Sequence, residues 1–137
     1  MITFDQYAGP WGDSPDFTME RKANAVHLLY VCEDLYDEMV KDGVVFQYNP
    51  KTKTQVSGET YGGFRPQSCP IGAAKSSHKE GLAVDWYDPF GQIDAWCMMH
   101  QDRLKFWGIY IEHPNDTPNW SHWTVRAPGS GNTVFHP

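Results

Sequence analysis

The chain has 137 residues, 40% of them hydrophobic, with 6 Trp, 7 Tyr and 7 Phe. At roughly 150 residues per domain this is a single domain, residues 1–137, with enough apolar and aromatic surface to bury a core, which excludes a disordered chain. A net charge of −6, from 11 Lys and Arg against 17 Asp and Glu, argues against a partner held through its phosphates, so nucleic acid is not expected.

The charge is uneven. Residues 1–42 carry nine acids and three bases, and residues 43–137 carry eight of each. Cys32, Cys69 and Cys97 leave at least one thiol unpaired and form no Cys-x-x-Cys pair, so neither a disulfide scaffold nor a four-cysteine zinc site is expected. The opening MITFDQYAGP has no basic stretch followed by an apolar one, and no window approaches the ~18 apolar residues of a membrane span. Synthesis in the cytoplasm without an export signal, no membrane partner and a monomeric state are the expectations.

After a Gly/Pro-rich lead-in, Ser14-Pro15 reads as a helix cap with proline in the first turn, and a helix is predicted over roughly Phe17 to Lys41. Leu28, Cys32, Leu35 and Met39 form its apolar stripe and Gly43 its stop. Val44, Val45, Phe46 and Tyr48 favour a strand, and Asn49-Pro50 begins a polar turn leading into a short hairpin or meander. Tyr61 to Ser77, with Gly62, Gly63, Pro66, Pro70 and Gly72, predicts an ordered loop over the surface.

Leu82 to Tyr87 is a clear strand. Asp88-Pro89 opens a second helical stretch in which Ile93, Trp96, Cys97, His100 and Leu104 recur at helical spacing up to Gly108. Ile109 to Ile111 and Trp120 to Arg126 are two further strands. The expected fold is α+β: two main helices packed on a small, mostly antiparallel sheet.

The run SSHKEGLAVDWYDP carries the chemistry. On Leu82–Trp86, Ala83 and Asp85 share one face while Leu82, Val84 and Trp86 take the other. His78 lies an odd number of residues before Asp85, but Gly81 lets the chain turn so that the two converge. In NWSHWTVR, Trp120, His122, Thr124 and Arg126 share a face, with Trp123 and Val125 opposite. Two neutral imidazoles and one carboxylate leave the fourth tetrahedral position of Zn²⁺ to water, the arrangement of a catalytic site. Trp86 and Trp123 fall on the faces away from these residues and are expected in the core. His113 is a rival to His122, and the three cysteines are expected to be buried or simply exposed rather than nucleophilic.

In this context GGFRPQ, SSHKEGLAVD and the late Trp-x-His of NWSHW, in that order over residues 62–126, resemble the zinc D-Ala-D-Ala carboxypeptidases and L-alanyl-D-glutamate endopeptidases of bacterial walls and phage endolysins. The ending RAPGSGNTVFHP is similar to phage-encoded members. The resemblance implies the Hedgehog/DD-peptidase fold and a mononuclear zinc site of His78, Asp85 and His122. It also implies hydrolysis of an amide bond in the peptidoglycan stem peptide, with Arg65 steadying an oxyanion or a substrate carboxylate. Such an enzyme acts on the wall after release from the cell, or as part of a virion.

One departure stands out. The family usually places a carboxylate three residues before the last histidine as general base, and here that residue is Asn119, whose amide cannot accept the proton. Glu112 or Asp116, in the segment just before it, is the expected replacement. The alternative is a zinc-binding structural or wall-recognition component of a phage particle with little turnover. Arg65, Lys75, Lys79 and Arg126 accompany the predicted site, so its half of the chain can accept a carboxylate-rich substrate despite the acidic total.

Overall fold

Thr3 and Gln6 cap one another reciprocally, each side chain meeting the other's backbone N–H, and start α1 (Phe4–Ala8) in a computed structural model that describes residues 1–137. The helix is short, and tertiary bonds hold it. The buried Tyr7 hydroxyl donates to the Ala83 carbonyl at 2.9 Å, and the Tyr7 carbonyl accepts from the Phe64 N–H at 3.1 Å. This element was not expected from the sequence.

The long helix α2 (Met19–Lys41) starts two residues later than expected. Thr18, not Ser14, is its cap, accepting from the Arg21 N–H at 3.3 Å, while Ser14 closes a turn before it. Its buried face is Ala25, Leu28, Leu29, Cys32, Leu35 and Met39, the expected stripe with two neighbours. Each large side chain buried there contributes roughly 1.5–3 kcal/mol. Gly43, at φ +92°, ends the helix as expected.

The segment Val44–Tyr48 forms no strand. Val45 and Tyr48 are exposed, while Val44 is partly buried on the core and Phe46 turns inward against Tyr36 and Trp86. The place it would have taken is filled by later chain. Tyr87 N–H donates to Gln55 O, Ser57 N–H to Asp85 O and Asp85 N–H to Gly62 O, at 2.8–2.9 Å, so the free edge of strand β1 (Ala83–Tyr87) is already bonded. The expected surface loop is likewise only half on the surface: Gly62 to Pro66 are buried, with Phe64 stacked on Phe17 at 4.1 Å. Gly63 is necessary there, because a Cβ would collide with the Tyr7 carbonyl.

The second helical stretch is two helices, α3 (Gln92–Met99) and α4 (Gln101–Trp107), broken at His100. The His100 ring bonds the Trp96 carbonyl through Nδ1 at 2.8 Å and stacks on Trp96, and its N–H turns to Cys97 O, so the ladder is satisfied locally and the chain leaves the helix. Asp88 caps α3 with both carboxylate oxygens, on Ile93 N–H and Asp94 N–H.

The sheet adds β2 (Tyr110–Glu112), β3 (Trp120–Thr124) and β4 (Val134–Phe135), in the order β1-β3-β2-β4. β1 and β2 both pair antiparallel with β3, and β4, not expected from the sequence, pairs parallel with β2, so the sheet is mixed. The architecture is α+β with four helices rather than two. Trp86 and Trp123 are fully buried on the helix side, as expected, and all three cysteines are free and buried. No helix is long and apolar enough to cross a membrane.

Candidate metal centre

The register of β1 on β3 sets Asp85 opposite His122 and Tyr87 opposite Trp120. On the far side of β3, Ile111 lies opposite Trp123, which places Glu112 beside His122, and Glu112 in turn pairs with Phe135 of β4. One row across the open face of the sheet therefore reads Asp85, His122, Glu112, Phe135.

His78 reaches this row from a 3₁₀ turn, Ser77–Glu80. Ser76 caps the turn by accepting from the His78 N–H, and Gly81 ends it in the left-handed region at φ +73°. Gly81 also packs on α2, where a Cβ would collide with the Arg21 carbonyl. The expected turn at Gly81 is thus what brings His78 back to Asp85.

Three donor atoms converge. His78 Nε2 is 3.2 Å from Asp85 Oδ1 and 3.3 Å from His122 Nδ1, and His122 Nδ1 is 2.7 Å from Asp85 Oδ1. Bonds of about 2.0–2.1 Å at tetrahedral angles put donor atoms roughly 3.3 Å apart, so two edges of this triangle already have the length a bound ion requires. His78 Nδ1 donates to the Gly63 carbonyl at 2.8 Å. That bond places the proton on Nδ1 and leaves the Nε2 lone pair for the cluster, as ligand histidines are usually held. His78, Asp85 and His122, all buried, are a group able to hold a metal ion.

The electrostatics favour a cation. Burial opposes the Asp85 carboxylate, but its electrostatic interaction with the two imidazoles and the hydrogen bond from His122 outweigh it and hold the carboxyl far below its usual range. Burial lowers His78, favouring the neutral imidazole. Burial acts downward on His122 too, yet its bond to Asp85 and the charges of Asp85 and Glu112 prevail and raise it. Positive charge is stabilised at His122, and a metal ion answers the same demand.

Arg65 stands behind the cluster, nine-tenths buried. Its Nη2 donates to Asp85 Oδ2 at 3.1 Å and its Nε to the Tyr61 carbonyl at 2.7 Å, so Oδ1 faces the histidines while Oδ2 is held. Glu112 Oε1 lies 3.8 Å from His122 Nε2, and burial raises its pKa. Asp116, the other expected base, is turned away: it bonds His136 Nδ1 at 2.6 Å, outside the cleft. The rival His113 stacks on His136 and accepts from the Asn115 N–H, apart from the cluster. Asn119 is an exposed turn residue at φ +74° whose carbonyl accepts from the Asp88 N–H.

The cluster forms the floor of a cleft of about 480 Å³. Trp120 lines it, together with Phe135 from β4 and the Gly72–Ser77 segment. Reading of the sequence missed Phe135, because β4 is only two residues long and has no pattern of its own. Lys79 does not line the cleft; its ammonium donates to the Gln67 carbonyl at 3.0 Å.

Comparison with protein-family models, curated proteins and solved structures finds no match.

Proposed function

We propose that this chain is a zinc-dependent peptidase of the Hedgehog/DD-peptidase type that hydrolyses an amide bond in the peptidoglycan stem peptide. The observation that carries the reading is the triangle of His78 Nε2, Asp85 Oδ1 and His122 Nδ1 on the floor of an open cleft. Two imidazoles with one carboxylate is a donor set zinc takes in catalytic sites, and three protein ligands leave a coordination position free. The ordered motifs around Arg65, His78, Asp85 and His122 support the substrate class.

When bound, zinc supplies Lewis-acid chemistry, polarising a carbonyl and lowering the pKa of water. The protein's own groups do the rest. Glu112, its pKa raised by burial, accepts a proton from the attacking water and returns it to the leaving amine. Arg65 offers its remaining Nη1 toward the cleft, where it holds negative charge on the substrate carbonyl or on a carboxylate beside it. Asp85 stays ionised, fixed by Arg65 and the two imidazoles.

A second reading, a zinc-stabilised wall-recognition or virion component without turnover, is favoured by one observation. The residue at the family's base position, Asn119, serves a turn instead of the cleft. Incubating the zinc-loaded protein with purified peptidoglycan and measuring newly released amino groups separates the two. Release that disappears in His78→Ala is expected; no release from protein carrying a full equivalent of zinc overturns the peptidase reading.

A further inference from the structure

We propose that Lys75 and Arg126 form an anion subsite in the cleft that binds a carboxylate of the bound molecule. The first observation is a census of arginines. Of the four in the chain, Arg21, Arg65 and Arg103 are paired with Glu80, Asp85 and Glu38, and Arg126 alone has no carboxylate partner. Lys75 has none either, and both line the cleft that holds His78, Asp85 and His122. The two side-chain carboxylates of that cleft lie at the cluster, Asp85 bonded to Arg65 and His122, and Glu112 beside His122.

The second observation is that the Arg126 side chain is tied to the backbone of the segment that carries Lys75. Arg126 Nη2 donates to the Lys75 carbonyl at 2.5 Å, which ties the Gly72–Ser76 segment to the end of β3, and the Arg126 N–H donates to Thr124 Oγ1. The guanidinium is therefore placed before any ligand arrives, and less side-chain freedom is lost on binding. Arg126 lies two residues past the end of β3 and lines the same cleft as Trp120 and His122.

The third is an open donor beside them. The buried Arg65 gives Nε to Tyr61 and Nη2 to Asp85, and Nη1 has no partner in the protein. Gly72 keeps the approach to Nη1 clear, since a Cβ there would lie 2.8 Å from it, with Ser76 Oγ close by. Arg126, Lys75, Arg65 and Ser76 thus all line one cleft, with Arg65 Nη1 and Ser76 Oγ near each other beside Gly72. A carboxylate fits these donors, from a peptide C-terminus or from an acidic side chain.

As a substrate determinant the subsite rests on the peptidase reading; as an anion site it does not. The test is equilibrium binding, followed by NMR titration of the zinc-loaded protein with two pairs of N-acetylated tripeptides. One pair differs as C-terminal acid and amide, the other as Glu and Gln side chain. In one pair the acid binds about tenfold tighter or more, as expected for a charge-assisted contact, and that pair identifies the source of the carboxylate. Arg126→Gln and Lys75→Gln each reduce that preference several-fold, while Arg126→Lys retains most of it. Equal affinity of acid and amide in both pairs overturns the proposal, as does a preference that survives Arg126→Gln and Lys75→Gln together. An Arg126-dependent preference without release of amino groups from peptidoglycan overturns the peptidase reading alone.

Discussion

Asp85 and His122 face each other as a register pair of β1 and β3, and Asp85 Oδ1 lies 2.7 Å from His122 Nδ1. Because the sheet itself sets this contact, two of the three side chains able to hold a metal ion are placed by backbone hydrogen bonds, and only His78 depends on a turn. His78→Ala should therefore remove the metal while leaving the fold: bound zinc drops from about one equivalent to a small fraction of it, measured on dialysed protein by elemental analysis. In the wild type, free zinc at about 100 times its dissociation constant adds roughly 2.7 kcal/mol to stability, or near 8 °C in melting temperature for a chain of this size. A chelator should reverse that rise, and His78→Ala should show neither change.

Glu112 and Asp116 make opposite predictions, although the sequence offers them equally. Glu112 lies 3.8 Å from the His122 ring on the cleft floor, whereas Asp116 is occupied by His136. Glu112→Gln is expected to lower the rate of amino-group release from peptidoglycan by about 10²–10⁴-fold with zinc content unchanged. Asp116→Asn should leave the rate within about twofold. An inactive Asp116→Asn beside an active Glu112→Gln would assign the base to the other carboxylate.

The alternation on Leu82–Trp86 and Trp120–Arg126 made the strand faces legible, and with them the side on which Asp85 and His122 stand. Gly81 made the return of His78 legible, because only a left-handed residue allows so sharp a turn between them. Part of what escaped was non-local. Val44–Tyr48 has strand propensity but no partner, since Gln55–Ser57 and Gly62 occupy the edge of β1. The break at His100 arises from its ring bonding the Trp96 carbonyl, which helical periodicity does not register. One missed element did leave a local signal: Thr3-x-x-Gln6 is a capping box, and it stands directly before α1.

Arg65 and Asp85 are a buried pair, with side chains 10% and 8% exposed. Removing the cation leaves a buried carboxylate beside two imidazoles, one of them kept neutral by burial. Arg65→Ala is expected to destabilise the metal-free protein by about 3–5 kcal/mol, read from the urea midpoint at constant slope. Zinc then supplies part of the missing positive charge, so saturating the variant with zinc should recover more stability than it adds to the wild type. Equal gains in both proteins would mean that the guanidinium is not what neutralises Asp85.

Asp94, on the helix side of the sheet, supplies a pH dependence separate from the cleft. Thr117 Oγ1 donates to its Oδ2 at 3.1 Å, and burial, with the neighbouring Asp88 charge adding to it, pushes its pKa from 3.8 up to about 6. Between these values the native state keeps a proton that the unfolded chain has released, so stability falls as pH rises from about 4 to about 6 and stays lower above that. The shift corresponds to at most about 3 kcal/mol. Asp94→Asn keeps an oxygen for Thr117 and places its amide beside Ser121, and it cannot ionise. The variant is expected to be more stable than the wild type by up to that margin at pH 7.5 and equal to it near pH 3.5, measured by denaturant unfolding at both. A gain of the same size at both pH values would assign the effect to packing, because ionisation of Asp94 contributes nothing below its unfolded pKa.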